Sequence, residues 1–281
     1  MKKYVITGAT SGIGKALTEE FSKSGLVFAG YRNPAKLDEL LKTSDNIIPF
    51  YIDMFKSSTI LEAAEFIKSK TDKIDTLINV AGSVLAGAVE NLGIQDLKEQ
   101  FQINTFSHLE FSNNLLSLLE GGKIINISSI SSFGIFPFIA PYCASKRALD
   151  ILFNSLMVET KKDIKVISIK PGVIATPLWE RSVNENFERL ENDKVYEKEM
   201  KFLERNALKN AKRGLNVKKV VEIVEKADKA KNPKASYLVG KDAVIASIFS
   251  YLPIEILNFL TKQLIKKRVN KILGNKKFKK H

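Results

Sequence analysis

The stretch "YVITGATSGIG" (residues 4–14) joins a short β-rich run to a turn with three glycines, and apolar residues at helical spacing follow it. A strand that passes through such a turn into a helix is the opening unit of dinucleotide-binding α/β folds. Gly8, Gly12 and Gly14 let a backbone turn tightly and approach a pyrophosphate, and a helix N-terminus offers unpaired N–H groups. The spacing is G-x-x-x-G-x-G, not the G-x-G-x-x-G fingerprint, so the turn alone leaves a plain strand–helix connection open.

The alternation that starts there continues along the chain. Strands of four to seven mostly apolar residues alternate with segments of helical periodicity, and the predicted helices include residues 95–119 and 142–159. This pattern indicates a parallel sheet covered on both faces, which right-handed crossovers make doubly wound. We therefore predict one α/β domain of the Rossmann type over residues 1–242. Its strands are predicted at 4–7, 26–31, 46–52, 76–81, 122–128, 164–169 and 235–240.

Two segments depart from this alternation. Residues 178–213 are highly charged with scattered apolar side chains, and we predict a helical lid inserted outside the sheet. Residues 243–281 are apolar and then basic, and they form a predicted C-terminal extension. Pro253, Glu255 and Asn258 interrupt its apolar run, so a transmembrane helix is not expected.

The extension has the pattern of a basic amphipathic helix. Lysines and one arginine occur between apolar residues that can form a stripe along the helix, and more lysines follow in "NKKFKKH" (275–281). Such a helix can lie on an anionic membrane; the alternative is a helix docked on the domain or on a partner subunit, with a frayed basic end. The stripe consists of Ile256, Leu260, Leu264, Val269, Ile272 and Leu273, and the basic positions are Lys262, Lys266, Lys267, Arg268 and Lys271.

Composition narrows the class of protein. The 281 residues carry a formal net charge of +13, which permits phosphate-bearing ligands, nucleic acid or an anionic membrane as partners. No nucleic-acid recognition motif accompanies the charge, so nucleic acid is not expected. The single cysteine, Cys143, cannot form an internal disulfide, and the N-terminus lacks the pattern of a signal peptide. We expect a cytoplasmic protein, with membrane association through the tail as the open alternative.

Taken in order, the motifs resemble the short-chain dehydrogenase/reductase family over residues 3–176, and more loosely to about residue 240. A serine thirteen residues before the "YCASK" tyrosine adds to the match. Val80 departs from the family pattern, which usually has a second asparagine there. The motifs are "TGATSGIG" (7–14), Asp53, "NVAG" (79–82), Asn104, Ser129, "YCASK" (142–146) and "PGVIATP" (171–177).

The resemblance implies four catalytic residues and no metal. Tyr142 would be the general acid in carbonyl reduction, or the base in alcohol oxidation. Lys146, one helical turn later, would lower the pKa of Tyr142 and bind the nicotinamide ribose. Ser129 would hydrogen-bond the substrate oxygen, and Asn104 would hold a water that links Lys146 to solvent. Taken singly, a Tyr–Lys pair at this spacing is ordinarily a surface pair, and a serine in "SSISS" is ordinarily part of a turn.

The residues after the second predicted strand favour NADP(H) over NAD(H). The segment "GYRNP" places Arg32 where an NAD site usually carries an acidic residue, and arginine suits a 2′-phosphate. NAD(H) stays the alternative, and an NADPH pool would make reduction the expected direction. By the same resemblance, Asp53 would bind the adenine edge. The predicted cofactor site comprises Gly8, Thr10, Ser11, Gly12, Ile13, Gly14, Arg32, Asp53, Asn79, Ala81, Gly82, Tyr142, Lys146, Pro171, Gly172, Val173 and Thr176.

Aromatic residues near the predicted catalytic serine suggest a lipophilic carbonyl or alcohol as the substrate. The chain looks like the NADP-dependent branch of the family that acts on hydroxysteroids, retinol and lipid carbonyls. The resemblance also suggests a homodimer or homotetramer through helices 95–119 and 142–159. Two rival functions stay open: a non-catalytic NADPH-binding sensor or scaffold, and a peripheral membrane protein that acts through its tail. The predicted substrate residues are Leu85, Phe133, Phe136, Phe138, Ile139 and Trp179.

Overall fold

A computed structural model describes residues 1–274, which fold around one seven-stranded parallel sheet. The strand order is β3-β2-β1-β4-β5-β6-β7, so the chain winds outward in both directions from the centre of the sheet. The prediction of a doubly wound Rossmann-type fold is confirmed. The strands are β1 (Lys2–Ile6), β2 (Gly25–Tyr31), β3 (Ile47–Tyr51), β4 (Thr76–Asn79), β5 (Lys123–Ile127), β6 (Lys165–Pro171) and β7 (Ser236–Val239).

The order of the strands reverses between β1 and β4. Ile6 of β1 is in register with Ala29 of β2 on one side and with Ile78 of β4 on the other. The connections leave these two strands in opposite directions, which opens a crevice at their carboxyl ends, where ligands bind in open α/β sheets. Pro49 fits within β3 because that strand lies at the edge of the sheet, where a missing N–H donor is tolerated.

Helices cover both faces of the sheet. Alternate residues along each strand point to opposite faces, so neighbours such as Val5 and Ile6 belong to two different apolar clusters. One cluster includes residues of α1, α2 and α10, and the other includes residues of α3, α5 and α6. These helices are α1 (Gly12–Phe21), α2 (Leu37–Leu41), α3 (Ser57–Lys70), α4 (Ile94–Phe101), α5 (Ser107–Leu115), α6 (Ala140–Glu159) and α10 (Lys218–Lys229).

The long helix predicted over residues 95–119 is interrupted. A π-helical turn over Gln102–Phe106 separates α4 from α5, and a 3₁₀ turn follows at Leu116–Leu118. A π turn inserts an extra residue into the helical repeat, so it rotates the side chains that follow it. The turn contains Asn104, one of the predicted catalytic residues.

Besides α10, three helices lie between β6 and β7, and two more end the described chain. Helix α9 packs against α7, α8 and α12, while α11 contacts β7. Within residues 1–274, no helix combines the length and apolar character needed to cross a membrane. The boundary at residue 242 and the role of 178–213 as a lid stay predictions. The elements are α7 (Leu178–Glu185), α8 (Phe187–Asn192), α9 (Glu197–Arg213), α11 (Lys241–Phe249) and α12 (Ile254–Gly274).

The apolar stripe predicted for α12 is wrong in part. Val269 is buried and Leu260 is half-buried, whereas Ile256 and Leu264 are exposed. The helix carries apolar residues on two sides, and packing against α9 buries only one of them. The predicted basic end "NKKFKKH" lies outside the described residues.

Candidate active site

A cavity of about 940 Å³ lies at the carboxyl ends of the central strands. It is bounded by the turn after β1, the segment after β4, the start of α6, the turn after β6, and helices α7 and α9. Most of the predicted site residues therefore meet around one space. Those that line it are Gly8, Thr10, Ser11, Gly12, Ile13, Arg32, Ala81, Gly82, Ser129, Tyr142, Lys146, Pro171, Gly172, Val173 and Thr176.

The glycine turn exposes the first turn of α1 to this cavity. Gly8 and Gly12 have φ angles of +65° and +52°, which disfavour any side chain. A Cβ at Gly14 would overlap the carbonyl oxygen of Gly8, so this glycine brings helix and turn together without lining the cavity. Among the described residues, no side chain caps this end of α1, and its first turn holds no acidic residue. The cradle therefore suits an anionic group such as a pyrophosphate.

Two basic side chains border the cavity after β2. Arg32 lies on its wall as the sequence predicted, and Lys36 joins it from a short 3₁₀ turn over Pro34–Lys36. Lys36 was not predicted from the sequence, although it is a second basic residue four positions after Arg32. Asp53 is not part of the lining: its Oδ1 accepts a hydrogen bond of 3.1 Å from the Phe55 N–H.

Tyr142 and Lys146 lie in the first turns of α6 and reach the inner wall of the cavity. The Lys146 ammonium donates to the Ile127 carbonyl oxygen at 2.9 Å, which ties α6 to the end of β5. The Ser129 hydroxyl lies close enough to Tyr142 to lower its pKa, and it donates to the Ser131 hydroxyl oxygen at 3.2 Å. The Ser129 oxygen also accepts from the Ser131 N–H at 3.1 Å, so the loop after β5 fixes its position.

Burial changes the proton affinities of both α6 groups. It raises the pKa of Tyr142 to about 12, against a smaller lowering by the Ser129 hydroxyl. It lowers the pKa of Lys146 to about 8, although the nearby Asp150 carboxylate raises it. The expected lowering of the Tyr142 pKa by Lys146 is therefore not seen. Desolvation of the phenolate is the largest cause of the raised pKa, since an ion inside the protein loses its hydration, and Lys146 is not among the causes.

Asn104 lies behind the cavity wall rather than on it. Its Oδ1 accepts from the Ser83 N–H at 3.0 Å, and its Nδ2 donates to the Ser83 carbonyl and the Ser145 hydroxyl oxygen. Gly82 separates it from Lys146: a Cβ there would lie 2.9 Å from the Asn104 Oδ1 and 3.7 Å from the Lys146 Nζ. The absence of a side chain at Gly82 leaves a small space bounded by both polar atoms.

Asn79, predicted to bind the cofactor, is buried within the sheet. Its Nδ2 donates to the Asn126 Oδ1 at 2.8 Å and to the Ser112 hydroxyl at 3.2 Å, so it braces β4 against β5 and α5. Sequence analysis missed His108 nearby, whose Nε2 lies 2.8 Å from the Ala81 carbonyl oxygen. Burial lowers the pKa of His108 to about 3, so the ring is neutral and Nε2 carries the donated proton.

The cavity is also lined by apolar side chains, which lie among charged ones such as Glu180 of α7 and Glu204 of α9. Four predicted substrate residues line it, and α9 adds two further apolar side chains. Phe133 and Phe138 do not take part: Phe133 lies under the Lys170 ammonium at 4.3 Å, and Phe138 packs against Tyr196. The residues on the wall are Leu85, Phe136, Ile139, Trp179, Leu203 and Ala207.

Polar contacts fasten residues 178–213 to the segment after β4. The Arg181 guanidinium donates to the Gly82 carbonyl oxygen at 2.6 Å. The buried Asn186 accepts from the Ala86 N–H and donates to the Val84 carbonyl oxygen, both at 2.9 Å. Sequence analysis missed both residues, because polar positions in a charged segment give no signal of burial. Across residues 1–274 no group of three or more His, Cys, Asp and Glu side chains could hold a metal ion.

Comparisons with known proteins agree with this architecture. The NADPH-dependent 3-dehydrocapnine reductase of Ornithobacterium rhinotracheale is 30% identical over 265 residues, which cover 90% of this chain and 93% of that protein. The 3-ketodihydrosphingosine reductase of Bacteroides thetaiotaomicron is 29% identical, over 91% of this chain and 94% of that protein. A short chain dehydrogenase/reductase from Burkholderia phymatum, solved with NAD, superposes with a TM-score of 0.75 at 20% identity, over 88% of this chain and 92% of that one.

The sequence pattern that defines the short chain dehydrogenases matches residues 2–186, which is about two thirds of the chain. That range contains the glycine turn, the serine, the tyrosine and the lysine that meet around the cavity. The chain is an oxidoreductase and belongs to the short chain dehydrogenase/reductase family.

Proposed function

We propose that the protein reduces a lipophilic ketone or aldehyde with NADPH, and that Tyr142 is the general acid. The observation that carries this proposal is the position of Tyr142, Ser129 and Lys146 on the cavity wall. They lie between an anion cradle at the glycine turn and an apolar chamber beneath α7 and α9. A cavity with a polar reactive centre and an apolar chamber is typical of enzymes that act on apolar small molecules.

The residues present fit a dinucleotide phosphate. The N–H groups of the first turn of α1 would hold the pyrophosphate, and Arg32 and Lys36 would hold a 2′-phosphate. A bound nicotinamide supplies the hydride for the reduction. The NADPH dependence named for the 3-dehydrocapnine reductase agrees with this preference. NAD(H) stays the alternative, because the named structural relative was solved with NAD.

Tyr142 holds its proton at neutral pH, because its pKa of about 12 leaves almost no phenolate. It is therefore prepared to donate that proton to a carbonyl oxygen that gains negative charge during reduction. Ser129, whose hydroxyl donates to the Ser131 hydroxyl oxygen, would turn that single donor toward the same carbonyl oxygen. In the space next to Gly82, Asn104 would hold a water that returns a proton through Lys146.

The chamber walls support a substrate with a large apolar part. Leu85, Phe136, Ile139 and Trp179 present apolar surface near Tyr142, and Leu203 faces the same cavity from α9. The two named relatives are reductases of 3-dehydrocapnine and 3-ketodihydrosphingosine, which favours a lipid-type ketone within this class. Steroids and retinoids stay in the test as competing classes. Residues 178–213 would act as the lid over this chamber.

We also propose that the protein forms a homodimer through α4, α5 and α6. Phe106 is exposed on the π turn, and Ile151 and Val158 are exposed on α6. Exposed apolar side chains on neighbouring helices are typical of a surface that a second subunit covers.

The test is a reductase assay followed by the loss of reduced-nicotinamide absorbance. NADPH and NADH would be compared with a panel of lipid, steroid, retinoid and small aromatic ketones. Tyr142→Phe should lower kcat about 10²- to 10⁴-fold while NADPH binding is kept. Tyr251→Phe, at an exposed position between α11 and α12 that does not line the cavity, is the matched control and should not change kcat.

A second comparison tests the cofactor. Arg32→Ala should raise the KM for NADPH about tenfold or more and leave the KM for NADH nearly unchanged, because only NADPH carries the 2′-phosphate. Arg205→Ala, on an exposed position of α9, is its control. Tight NADPH binding without turnover of any ketone would refute the reductase proposal and favour the sensor.

A further inference from the structure

The exposed apolar surface of the described chain is concentrated at its C-terminal end. Ten large apolar side chains between residues 244 and 264 are at least 36% exposed, and Tyr251 reaches 87%. Solitary exposed apolar residues are ordinary, but a continuous run of this length is typical of a surface that contacts a partner or a membrane. We name this run the tail surface: Val244, Ile245, Ile248, Phe249, Tyr251, Leu252, Ile254, Ile256, Phe259 and Leu264.

The tail surface is not the side that attaches α12 to the domain. Helix α12 packs on α9, with Val269 buried and with Leu257, Leu260 and Ile265 half-buried. The inward face therefore already has its partner. The exposed apolar residues of α11, the following turn and α12 are left uncovered by the domain.

Basic residues follow Glu255, which is the acidic residue within the tail surface. Lys262, Lys266, Lys267 and Arg268 follow Phe259 on α12, and no Asp or Glu occurs from residue 256 to residue 281. Within residues 1–274 none of these four side chains forms an ion pair. An apolar face beside unpaired cations is complementary to a bilayer with anionic headgroups, because acyl chains accept the apolar groups and phosphates attract the cations.

A second copy of the chain fits this face less well. Nine Lys and Arg residues and no acidic residue lie between positions 256 and 281, so two tails brought together would repel each other. The exposed apolar residues of α6 lie on another part of the chain and are available for a dimer. Charge complementarity therefore favours an anionic bilayer over self-association.

The tail surface also adjoins the cavity. Arg268 of α12 lines it together with Leu203, Ala207 and Asn210 of the neighbouring α9. At the other end of the tail surface, the carboxylate of Asp242 in α11 accepts from the N–H of Val173, which lines the cavity after β6. Helix α12 thus lies next to the apolar residues of α9 that line the cavity, and α11 contacts the segment after β6 on the cofactor side.

We propose that the tail surface docks on the face of an anionic phospholipid bilayer and places the active-site cavity next to the lipid. This arrangement would let a lipophilic ketone pass from the bilayer to Tyr142 with little exposure to water. The delivery step rests on the proposed function, whereas the docking itself does not.

The test is sedimentation of the full chain with vesicles. Vesicles of equal parts phosphatidylglycerol and phosphatidylcholine are compared with vesicles of phosphatidylcholine alone. We expect at least tenfold stronger binding to the anionic vesicles, with a loss at high salt. The triple variant Lys262→Gln/Lys266→Gln/Lys267→Gln should lose at least tenfold in that binding. The matched control is Lys42→Gln/Lys70→Gln/Lys161→Gln, which removes the same charge from exposed sites elsewhere and should stay within twofold.

The apolar part is tested by Ile248→Asn/Phe259→Asn, whose fold is checked by its thermal midpoint. This variant should also lose at least tenfold in vesicle binding, while its turnover of a water-soluble ketone stays unchanged. Equal binding to neutral and anionic vesicles, or equal loss in both lysine triples, would overturn the proposal. It would also be overturned if the apolar variant converted a dimer into a monomer in light scattering without weakening vesicle binding. Vesicle binding without any ketone reduction would refute the proposed function and leave the docking intact.

Discussion

Lys170→Met is the substitution that best tests how the core supports the active site. Lys170, near the end of β6, places its ammonium 2.6 Å from the Asp150 carboxylate, and both side chains are buried. Ser168 donates to the other oxygen of Asp150 at 2.9 Å. Asp150 lies one helical turn after Lys146, and its charge raises the pKa of Lys146. Loss of Lys170 would therefore change both stability and the site.

The variant leaves a buried carboxylate with one neutral hydrogen-bond donor. Breaking a buried ion pair from one side costs about 3–5 kcal/mol, because the remaining charge has lost both its partner and its hydration. For a chain of this length each kcal/mol lowers the melting temperature by about 2 °C, so we expect a decrease of roughly 6–10 °C. Asp150→Asn/Lys170→Met removes both charges and keeps an acceptor for Ser168. It should recover most of that loss.

Thermal unfolding by circular dichroism measures the stability of the wild type, both single variants and the double variant. The pH dependence of ketone reduction in Asp150→Asn supplies the functional readout. Loss of the carboxylate should lower the pKa of Lys146 further and move the basic limb of kcat to lower pH. A Lys170→Met variant that melts within about 2 °C of the wild type, or a double variant as unstable as the sum of the singles, would refute the reasoning.

Three further predictions follow from the same geometry. Because the pKa of Lys146 is lowered to about 8, kcat for reduction should fall above about pH 8, which a pH titration of kcat checks. The contribution of Lys146 to the free energy of unfolding should rise with pH from about 8 to 10.5, because the unfolded chain binds more protons than the folded chain in that range. Denaturant unfolding at several pH values measures that rise. Gly14→Ala should destabilise the protein by about 3 kcal/mol through its clash with Gly8, whereas Gly134→Ala, where a Cβ meets nothing within 4 Å, should leave the thermal midpoint unchanged. Asn186→Ala should raise the KM for ketones and cost about 2–3 kcal/mol in unfolding free energy, because two buried backbone groups lose their partner.

The places of the strands along the chain could be predicted because the signal is local. Strands buried on both faces read as short apolar runs, and each of the seven runs contains most of a strand that the structure forms. The glycine turn could also be predicted from the sequence. Helix α1 approaches the backbone of Gly8 so closely that no Cβ fits at Gly14, so the structure requires a glycine there.

The residues that line the cavity near the predicted substrate position could not be predicted as accurately. Phe133, Phe136 and Phe138 occur within six residues, yet only Phe136 faces the cavity. The backbone of the loop decides this: Phe138 has a φ of +65°, which a sequence pattern does not reveal for a phenylalanine. The sequence likewise does not reveal the π turn at Asn104, because the residues of that turn continue the helical periodicity of the segments on either side.

Burial also links the architecture to the direction of the reaction. The same desolvation that raises the pKa of Tyr142 lowers that of Lys146, so burial favours the neutral form of both side chains. Proton abstraction from an alcohol would require a phenolate that burial disfavours. Proton donation to a developing alkoxide uses the form of Tyr142 that burial stabilises, and the phenolate left on Tyr142 would then regain a proton through Lys146. We therefore expect the chain to act faster as a carbonyl reductase than as an alcohol dehydrogenase at neutral pH.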